Sequence, residues 1–117
     1  MLERELTLQE GIIQQNLPQG ATWLRLGDTG KVTRNKLGCD GFLFHGRSCW
    51  ITEVKLNNES LTENEKKLME WCYSKGIKYI VLRYFTDIKL WVIEITGDNW
   101  TCSGTTLSEC VEELLDY

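Results

Sequence analysis

The sequence of 117 residues contains one proline and one histidine, and it has no long hydrophobic run. None of its apolar runs approaches the roughly 20 residues that a membrane-spanning helix requires. Its first ten residues, MLERELTLQE, carry acidic side chains where a secretory signal has a basic segment followed by an apolar one. We therefore expect an intracellular, cytoplasmic protein with no membrane partner.

The cysteines also lack the spacings that are typical of disulfide-stabilised proteins and of zinc sites. There are five, an odd number, and no two form a C-x-x-C pair. Without a secretory signal they are expected to be reduced thiols, and with His45 as the one imidazole a zinc site is not expected. A nucleophilic pair of Cys49 and His45 stays open, beside the simpler interpretation of a small core residue and a turn histidine.

The overall composition is typical of a globular protein. Apolar residues make up 42% and charged residues 26% of the sequence. These proportions favour a single domain over residues 1–117 and exclude a disordered chain, a collagen and a coiled coil. The net charge of −4 argues against a general nucleic-acid coat protein.

The charge is unevenly distributed along the chain. Residues 20–55 hold six basic and three acidic side chains, a balance of +3 on an otherwise acidic protein. A basic, glycine-rich segment suits a surface that faces phosphates, although a solvated loop explains the charge as well. Five of its basic residues are candidates for nucleic-acid binding: Arg25, Lys31, Arg34, Lys36 and Arg47.

Apolar spacing divides the first third of the chain into a helix, a strand and a loop. The pattern predicts a helix over Leu2–Leu17 that ends at Pro18 and Gly20. A short strand is predicted at 21–26. A loop follows at 27–38, where three glycines occur and no apolar periodicity is found.

Runs of aromatic and β-branched residues predict four further strands. The runs at 42–44 and 48–55 flank the turn-forming sequence 45–47, which indicates a β-hairpin. Two more strands are predicted at 77–85 and 88–95.

Two capping boxes predict the helices of the second half. Thr62 with Glu65 begins a helix that runs to about Ser74, and Thr106 with Glu109 begins a closing helix. The resulting order, α-β-β-β-α-β-β-α, predicts an α/β fold in which helices flank a mixed β-sheet. The apolar side of the closing helix either packs on this sheet or forms the interface of a homodimer.

Three charged residues are the candidates for chemistry. Glu53 and Lys55 are two apart on a predicted strand with apolar neighbours, so they project from one face. Burying a carboxylate or an ammonium is costly unless the charges are paired or bind an ion. Asp40 precedes the partner strand of the hairpin, which would bring its carboxylate beside Glu53. A simple salt bridge between Glu53 and Lys55 would also account for the pair.

Two carboxylates and a lysine at one sheet edge suit a hard cation. Mg²⁺, or Mn²⁺ in its place, binds a few carboxylate oxygens and keeps several waters, one of which can act as a nucleophile. Lys55 would stabilise that nucleophile or the charge that develops on a phosphate. No organic cofactor is expected.

The same residues belong to a longer pattern. The turn G-C-D ends at Asp40, and after twelve residues the segment E-V-K runs from Glu53 to Lys55. This arrangement resembles the D-x(n)-E-x-K core of the PD-(D/E)XK nuclease superfamily, above all the small VRR-NUC-type nucleases and next the archaeal Holliday-junction resolvases. The resemblance covers about residues 10–83. Four other segments contribute to it: Glu10–Gln14, Trp50–Lys55, Leu61–Glu65 and Gly76–Leu82.

The resemblance implies a restriction-endonuclease-like fold and a role for each matching residue. Asp40 and Glu53 would ligate the metal, and the backbone carbonyl of Val54 would complete the site. Lys55 would be the catalytic lysine. Glu10 would be the first-helix carboxylate that holds a metal-bound water or a second ion.

The first helix offers three carboxylates for that last role. Glu3 and Glu5 also qualify, because the sequence LEREL resembles the N-terminal helix of the resolvases. Glu10 is preferred because Gln14 accompanies it in the VRR-NUC pattern.

Two residues depart from the family's pattern. Cys39 stands where a proline often precedes the aspartate, a position that shapes a turn and binds nothing. Glu65 stands where the family's helix has glutamine, and it is explained as the third residue of the capping box with Thr62. An added carboxylate near a phosphate would weaken nucleic-acid binding, so Glu65 indicates an altered metal shell or a site not tuned for cleavage.

The implied function is that of a Mg²⁺- or Mn²⁺-dependent endonuclease, which hydrolyses phosphodiester bonds of DNA by attack of a metal-activated water. Stand-alone proteins of this type are common in phages and mobile elements, and the resemblance implies structured DNA such as a junction, flap or fork. The alternative is a catalytically inactive protein that keeps the nuclease fold and binds DNA or another protein. Such a module has no need to keep Asp40, Glu53 and Lys55 together.

The tryptophans are assigned mostly to the core. Trp100 lies between polar neighbours and is the candidate for an interface. The other tryptophans fall on strand or helix patterns and are predicted to be buried rather than to stack on bases: Trp23, Trp50, Trp71 and Trp91.

Overall fold

The computed structural model describes Ile13, residues 15–26 and residues 39–117. Most of the predicted first helix and the predicted loop at 27–38 lie outside these ranges. None of the helices within them is long and apolar enough to cross a membrane. The strands are β1 (Ala21–Arg25), β2 (Gly41–His45), β3 (Ser48–Leu56), β4 (Tyr79–Phe85), β5 (Leu90–Ile95) and β6 (Trp100–Gly104), and the α-helices are α1 (Glu63–Ser74) and α2 (Leu107–Leu115).

The six strands form one sheet in which each strand pairs with its neighbours in sequence, in the order β1 to β6. Every pair is antiparallel except β3 with β4, which are parallel. A parallel pair cannot be joined by a tight hairpin. The crossover between β3 and β4 contains α1, which places the first turn of α1 beyond the end of β3.

The sheet buries its two faces against different helices. In β4, Ile80 and Leu82 pack in the larger core, which includes Val111 of α2. Tyr79 and Val81 belong to a second cluster, which includes buried residues of α1. Successive side chains of a strand alternate between the two faces of a sheet, so the helices cover opposite faces. This confirms the predicted class, a mixed β-sheet flanked by helices.

Both predicted capping boxes are present. The hydroxyl of Thr62 accepts a hydrogen bond from the Glu65 amide, and the Glu65 carboxylate accepts one from the Thr62 amide. Thr106 and Glu109 make the same pair of bonds at the start of α2. These reciprocal bonds satisfy donors that a helix N-terminus otherwise leaves without partners.

The closing helix packs on the sheet rather than presenting its apolar side outward. Leu107, Val111 and Leu114 are all buried against the larger core. A dimer interface through this side of α2 is therefore not available, and the homodimer stays a prediction that requires another surface.

The strand β6 is absent from the predicted order. Its sequence WTCSG alternates apolar and polar residues over five positions only, and Thr101 and Ser103 are exposed. Asn99, just before it, adopts a left-handed conformation with φ of 55° that ends the preceding 3-10 turn. Trp100, the candidate interface residue, is half-buried against the larger core, and its ring contacts Tyr117.

A glycine fixes the start of β2, next to Asp40. A Cβ atom on Gly41 would overlap the carbonyl oxygen of Leu24 and would lie 2.8 Å from the ring of Trp23. The close approach of β1 to β2 at this point therefore depends on the absence of a side chain at position 41.

We expect Gly41→Ala to destabilise the protein by about 1–3 kcal/mol, the usual cost of overpacking, because β1 must move away from β2. Urea unfolding measures the change. Gly46→Asn is the matched control: Gly46 has a φ of +57° and open space around it, and Asn tolerates that conformation. Equal stability of the Gly41→Ala variant and the wild type would show that the strands are not held this tightly.

Candidate active site

The candidate site lies where β2 begins and β3 approaches its end. The backbone of Asp40 is held from both sides: its amide donates to the carbonyl of Thr52 at 3.0 Å, and its carbonyl accepts from the amide of Leu26 at 2.8 Å. Asp40 therefore extends the hydrogen-bonding ladder by one residue at the start of β2, and its position is fixed by the sheet.

The side chain of Asp40 reaches across to β3. Its Oδ2 accepts a hydrogen bond of 2.7 Å from the amide of Val54. This bond places the carboxylate between the backbone of β3 and the side chain of Glu53, which precedes Val54. The structure thus brings Asp40 and Glu53 together, in the way that folding of the hairpin predicts.

Glu53 is the most perturbed ionisable group of the site. Its side chain belongs to a residue that is only 4% exposed, and its Oε1 has no hydrogen-bond partner among the residues described. Burial, followed by the hydrogen bond and negative charge of Asp40 and then those of Glu65, raises the pKa of Glu53 to about 11. In the protein alone this carboxyl group is therefore protonated at neutral pH.

Lys55 pairs with α1 and not with Glu53. Its Nζ lies 3.0 Å from Oε1 of Glu65, and both side chains are largely buried. The salt bridge between Glu53 and Lys55, which the sequence left open, is replaced by this one. Glu53 and Lys55 still share a face of β3, together with Ile51, which packs in the α1 cluster.

The ion pair sets the charge of both partners. Burial alone would lower the pKa of Lys55, but the hydrogen bond and charge of Glu65 outweigh it and the pKa is raised. Burial would raise the pKa of Glu65, but hydrogen bonds from Thr62 and with Glu53, and the ion pair with Lys55, lower it. Lys55 is therefore a cation and Glu65 an anion at neutral pH.

The sequence pattern did not predict the contact of Glu65 with Lys55. The position of Glu65 in the capping box explains this residue without chemistry, yet the same Oε1 that accepts the Thr62 amide at 2.7 Å also accepts from Lys55. The signal that could have identified it is topological. A carboxylate in the first turn of a crossover helix lies next to the end of the strand that precedes the helix.

The predicted nucleic-acid contacts are only partly within the described ranges. Arg25 ends β1 opposite Gly41, next to Asp40 in the chain, but it shares a face of the sheet with Trp23 and not with Glu53 and Lys55. Arg47 lies in the turn between β2 and β3, at the other end of β3 from Lys55. The other three candidates, Lys31, Arg34 and Lys36, lie outside the described ranges, as does Glu10, the predicted first-helix carboxylate.

The cysteines do not form a nucleophilic site. Phe44 pairs with Cys49 and His45 with Ser48 in the hairpin register, so Cys49 and His45 point to opposite faces of the sheet. Burial raises the pKa of the Cys49 thiol, whereas a nucleophilic cysteine needs a lowered one. All five cysteines are free thiols, as predicted.

A cavity of about 940 Å³ opens at the opposite end of the sheet. It is lined by residues of both helices and of three strands, among them Trp50, Tyr73, Ile95 and Leu114. A large pocket is the usual first candidate for a binding site, but Asp40 and the strongly perturbed carboxyl groups are not in its wall. The candidate active site and the cavity therefore lie in different parts of this protein.

The carboxylates fit a divalent cation that needs few protein ligands. Over the described ranges, no three His, Cys, Asp or Glu side chains are arranged as a complete cage. However, Glu53 has an oxygen without a partner, and Asp40 uses one oxygen on the Val54 amide. Mg²⁺ commonly binds through one or two carboxylates and retains its other ligands as water.

The comparisons with known proteins are distant. No family model and no curated protein matches the chain. Among solved structures, the chain is similar to the 1.6 Å structure of Archaeoglobus fulgidus Hjc, a Holliday junction resolvase from an archaeal hyperthermophile. The TM-score is 0.49 at 19% sequence identity, over 79% of this chain and 72% of that one. A likeness this distant carries no information on activity, so the function of this chain rests on its own site.

We expect Glu53→Gln to stabilise the protein at pH 7 to 9 in the presence of EDTA, by about 1.4 kcal/mol for each pH unit above the unfolded pKa of the glutamate, because the amide binds no proton on folding. Because the folded-state pKa of Glu53 is raised to about 11, its contribution to stability is fully present below the unfolded value of about 4.3. That contribution is lost as the pH rises toward the folded value. The neutral amide does not titrate, so the difference between the variants should grow with pH.

Urea unfolding at several pH values measures this difference. Glu112→Gln, on the exposed side of α2, is the matched control and should not change the pH dependence. A constant difference between Glu53→Gln and the wild type over pH 4 to 9 would contradict the raised pKa.

Proposed function

We propose that this protein is a Mg²⁺- or Mn²⁺-dependent endonuclease that hydrolyses phosphodiester bonds of DNA. The proposal rests on one observation: the buried Glu53, with an oxygen that has no hydrogen-bond partner among the described residues, lies against the carboxylate of Asp40. A protein that needed only a stable sheet would place an apolar residue there, because a buried carboxyl without compensation is destabilising. A cation compensates it.

Asp40 and Glu53 would hold the cation, with the backbone carbonyl of Val54 and Glu10 as the further ligands that the sequence pattern implies. When bound, the cation would polarise the phosphate and make a water nucleophilic at neutral pH. The sheet contributes rigidity, because Asp40 is fixed through its amide, its carbonyl and one carboxylate oxygen. Such positioning is a large part of catalysis in phosphate chemistry.

Lys55 would act through its charge. Its raised pKa keeps the ammonium protonated at neutral pH, so it cannot serve as a general base there. A fixed ammonium in a partly buried site stabilises negative charge that develops on a phosphate. To reach the phosphate, Lys55 would exchange its contact with Glu65 for one with the substrate.

The substrate that we propose is structured DNA, such as a junction, flap or fork. Its phosphates would contact the basic residues of the segment 20–55, among them Arg25, which ends β1 opposite Gly41 and would have to reach around the sheet edge from the other face. Arg47 would contact a more distant part of the strand. The candidates Lys31, Arg34 and Lys36 retain the roles expected from the sequence.

A second function is favoured by a specific contact. The ion pair between Lys55 and Glu65, at 3.0 Å, neutralises the ammonium that a nuclease would present to the substrate. If this pair persists in the complex, the protein is a catalytically inactive module with a nuclease-like site that binds DNA or another protein. Cleavage separates the two functions.

We expect the wild type to cleave at least one of a labelled single strand, duplex, fork, flap and four-way junction with Mg²⁺ or Mn²⁺, and none with EDTA. Asp40→Asn should abolish cleavage, because the amide keeps an oxygen for the Val54 amide but removes the charge. Gel analysis of the products measures this. Asp116→Asn, an exposed aspartate at the end of α2, is the control.

Thermal unfolding gives a reading of cation binding that does not depend on turnover. Mg²⁺ or Mn²⁺ at about 100 times its Kd should stabilise the wild type by about 2.7 kcal/mol, and Asp40→Asn much less. Absence of cleavage on every substrate, together with equal cation effects on both proteins, would contradict the proposal.

We expect Glu65→Gln to increase cleavage by roughly fivefold. Glutamine retains the capping box, while the loss of one unit charge at about 4 Å from a phosphate is worth about 1 kcal/mol in water. Initial rates on the preferred substrate measure the change, and Glu65→Ala, which also loses the cap, is the stability control. A lower rate in the Gln variant would show that Glu65 positions Lys55 or the cation instead of restraining it.

A further inference from the structure

The outer face of α1 exposes a large aromatic side chain. Trp71 is 51% exposed, whereas the sequence pattern predicted it in the core, and this prediction is wrong. Three other tryptophans are buried as predicted, at 5–6% exposure: Trp23, Trp50 and Trp91. The inner face of α1 is supplied by Met69 and Cys72, which leaves Trp71 on the solvent side of the helix.

Two lysines flank this tryptophan on the same side. Lys67 and Lys75 lie four residues before and after Trp71, a spacing that places side chains along one face of a helix. Within the part of the chain that the structure describes, none of these three side chains makes a hydrogen bond or an ion pair. The nearby carboxylates Glu63 and Glu70 do not pair with either lysine there.

The second half of α1 and the turn that follows it are locally basic on an acidic protein. Residues 66–78 contain four lysines and one glutamate, a balance of +3, while the whole chain has a net charge of −4. An exposed aromatic ring between unpaired cations is the combination that single-stranded nucleic acid binds, since any base can stack on the ring while the lysines contact the backbone.

We propose that the face formed by Lys67, Trp71 and Lys75 is a binding surface for an unpaired nucleic-acid strand. One base stacks on the indole of Trp71, and phosphates about one or two nucleotides away on each side contact the two lysines. Lys67 and Lys75 are eight residues apart, about 12 Å along the helix. This length corresponds to three or four nucleotides at about 3.4 Å each.

The unpaired strand is favoured over other partners by the chemistry of this face. A protein partner would require acidic residues opposite the lysines, and a second copy that pairs through this same face would place like charges against each other. Duplex DNA can meet the lysines, but its bases are stacked on one another and cannot use the exposed ring. Trp71 therefore adds binding energy for unpaired nucleotides alone.

The position of α1 connects this surface to the candidate active site. Glu65, in the first turn of the same helix, contacts Lys55. The face formed by Lys67, Trp71 and Lys75 extends from there toward the C-terminal end of the helix. Because Trp71 is on the outer face of α1 and Glu65 contacts the sheet, a strand that lies along this face would pass around the first turn of α1 to reach the candidate site. This connection rests on the proposed function, whereas binding to this face does not.

Fluorescence anisotropy of a labelled single-stranded DNA, with the full chain in EDTA so that no cleavage occurs, measures the affinity. Trp71→Ala should weaken single-strand binding by roughly 5- to 150-fold, the range of base–aromatic stacking, and should affect a duplex much less. Ile88→Ala is the control, because Ile88 is another exposed apolar residue, at 67%. Its affinity should equal that of the wild type.

The lysines are tested by the salt dependence. Lys67→Gln with Lys75→Gln should reduce the slope of log K against log salt by about 1.4, since each single-strand phosphate contact contributes about 0.7. Lys66→Gln is the matched control, because Lys66 is exposed on the same helix but lies outside this face. If Lys66→Gln reduced the salt slope by as much as each of the other two substitutions, the lysines would act by general electrostatic attraction. That result would overturn the proposed binding surface.

Tryptophan fluorescence reports the stacking directly. Trp71 is the most exposed tryptophan, so its emission should be quenched when unlabelled single strand binds. Trp71→Phe, which retains a ring, should keep most of the affinity and lose most of the quenching. Quenching that persists in the Phe variant would overturn stacking on Trp71.

The outcomes separate this inference from the proposed function. Binding that depends on Trp71 in a protein that cleaves no substrate would support the surface and reject the nuclease. Cleavage that requires Asp40, with single-strand affinity unchanged by Trp71→Ala, would reject the surface alone. Self-association that depends on Trp71, measured by sedimentation without DNA, together with no single-strand binding, would overturn the inference in favour of a protein interface.

Discussion

The burial of Glu53 beneath the first turn of α1 is the constraint on which the site depends. A carboxyl group in this position must be neutralised by a proton or by a cation, because Asp40 and Glu65 both present negative charge to it. The parallel pairing of β3 with β4 brings α1 across this face of the sheet. The fold therefore concentrates acidic groups where water is scarce, and under the proposed function a cation would relieve the cost that this packing imposes on Glu53.

Patterns of neighbouring residues in the sequence predicted most of the helices and strands. The capping boxes at Thr62 and Thr106 are explicit in the sequence, and the hairpin follows from aromatic and β-branched runs around a turn. The strand β6 escaped these patterns because it has only two apolar side chains in five residues, and it is stabilised by its pairing with β5 and by the burial of Cys102 in the larger core. Trp71 escaped them because helical spacing alone does not say which face of α1 meets the sheet.

The site was less predictable than the fold for a different reason. The proximity of Asp40 and Glu53 follows from hairpin geometry, so residue types and spacing were sufficient to anticipate it. The partner of Lys55 was not, because Glu65 approaches through the crossover between parallel strands, a contact with no local signature. Long-range contacts of this kind decide charge states, and the protonation of Lys55 follows from this ion pair.

The capping box at the start of α1 has a consequence for the freedom of position 65 to vary. One carboxylate oxygen both completes the helix cap and neutralises Lys55. Glutamate and glutamine are the residues that complete such a cap, and only glutamate carries the opposing charge. Helix stability and the electrostatics of the site are therefore set by a single side chain. Only glutamate and glutamine at position 65 keep the cap. Evolution can therefore change the charge beside Lys55 without losing the cap only by exchanging one of these two residues for the other.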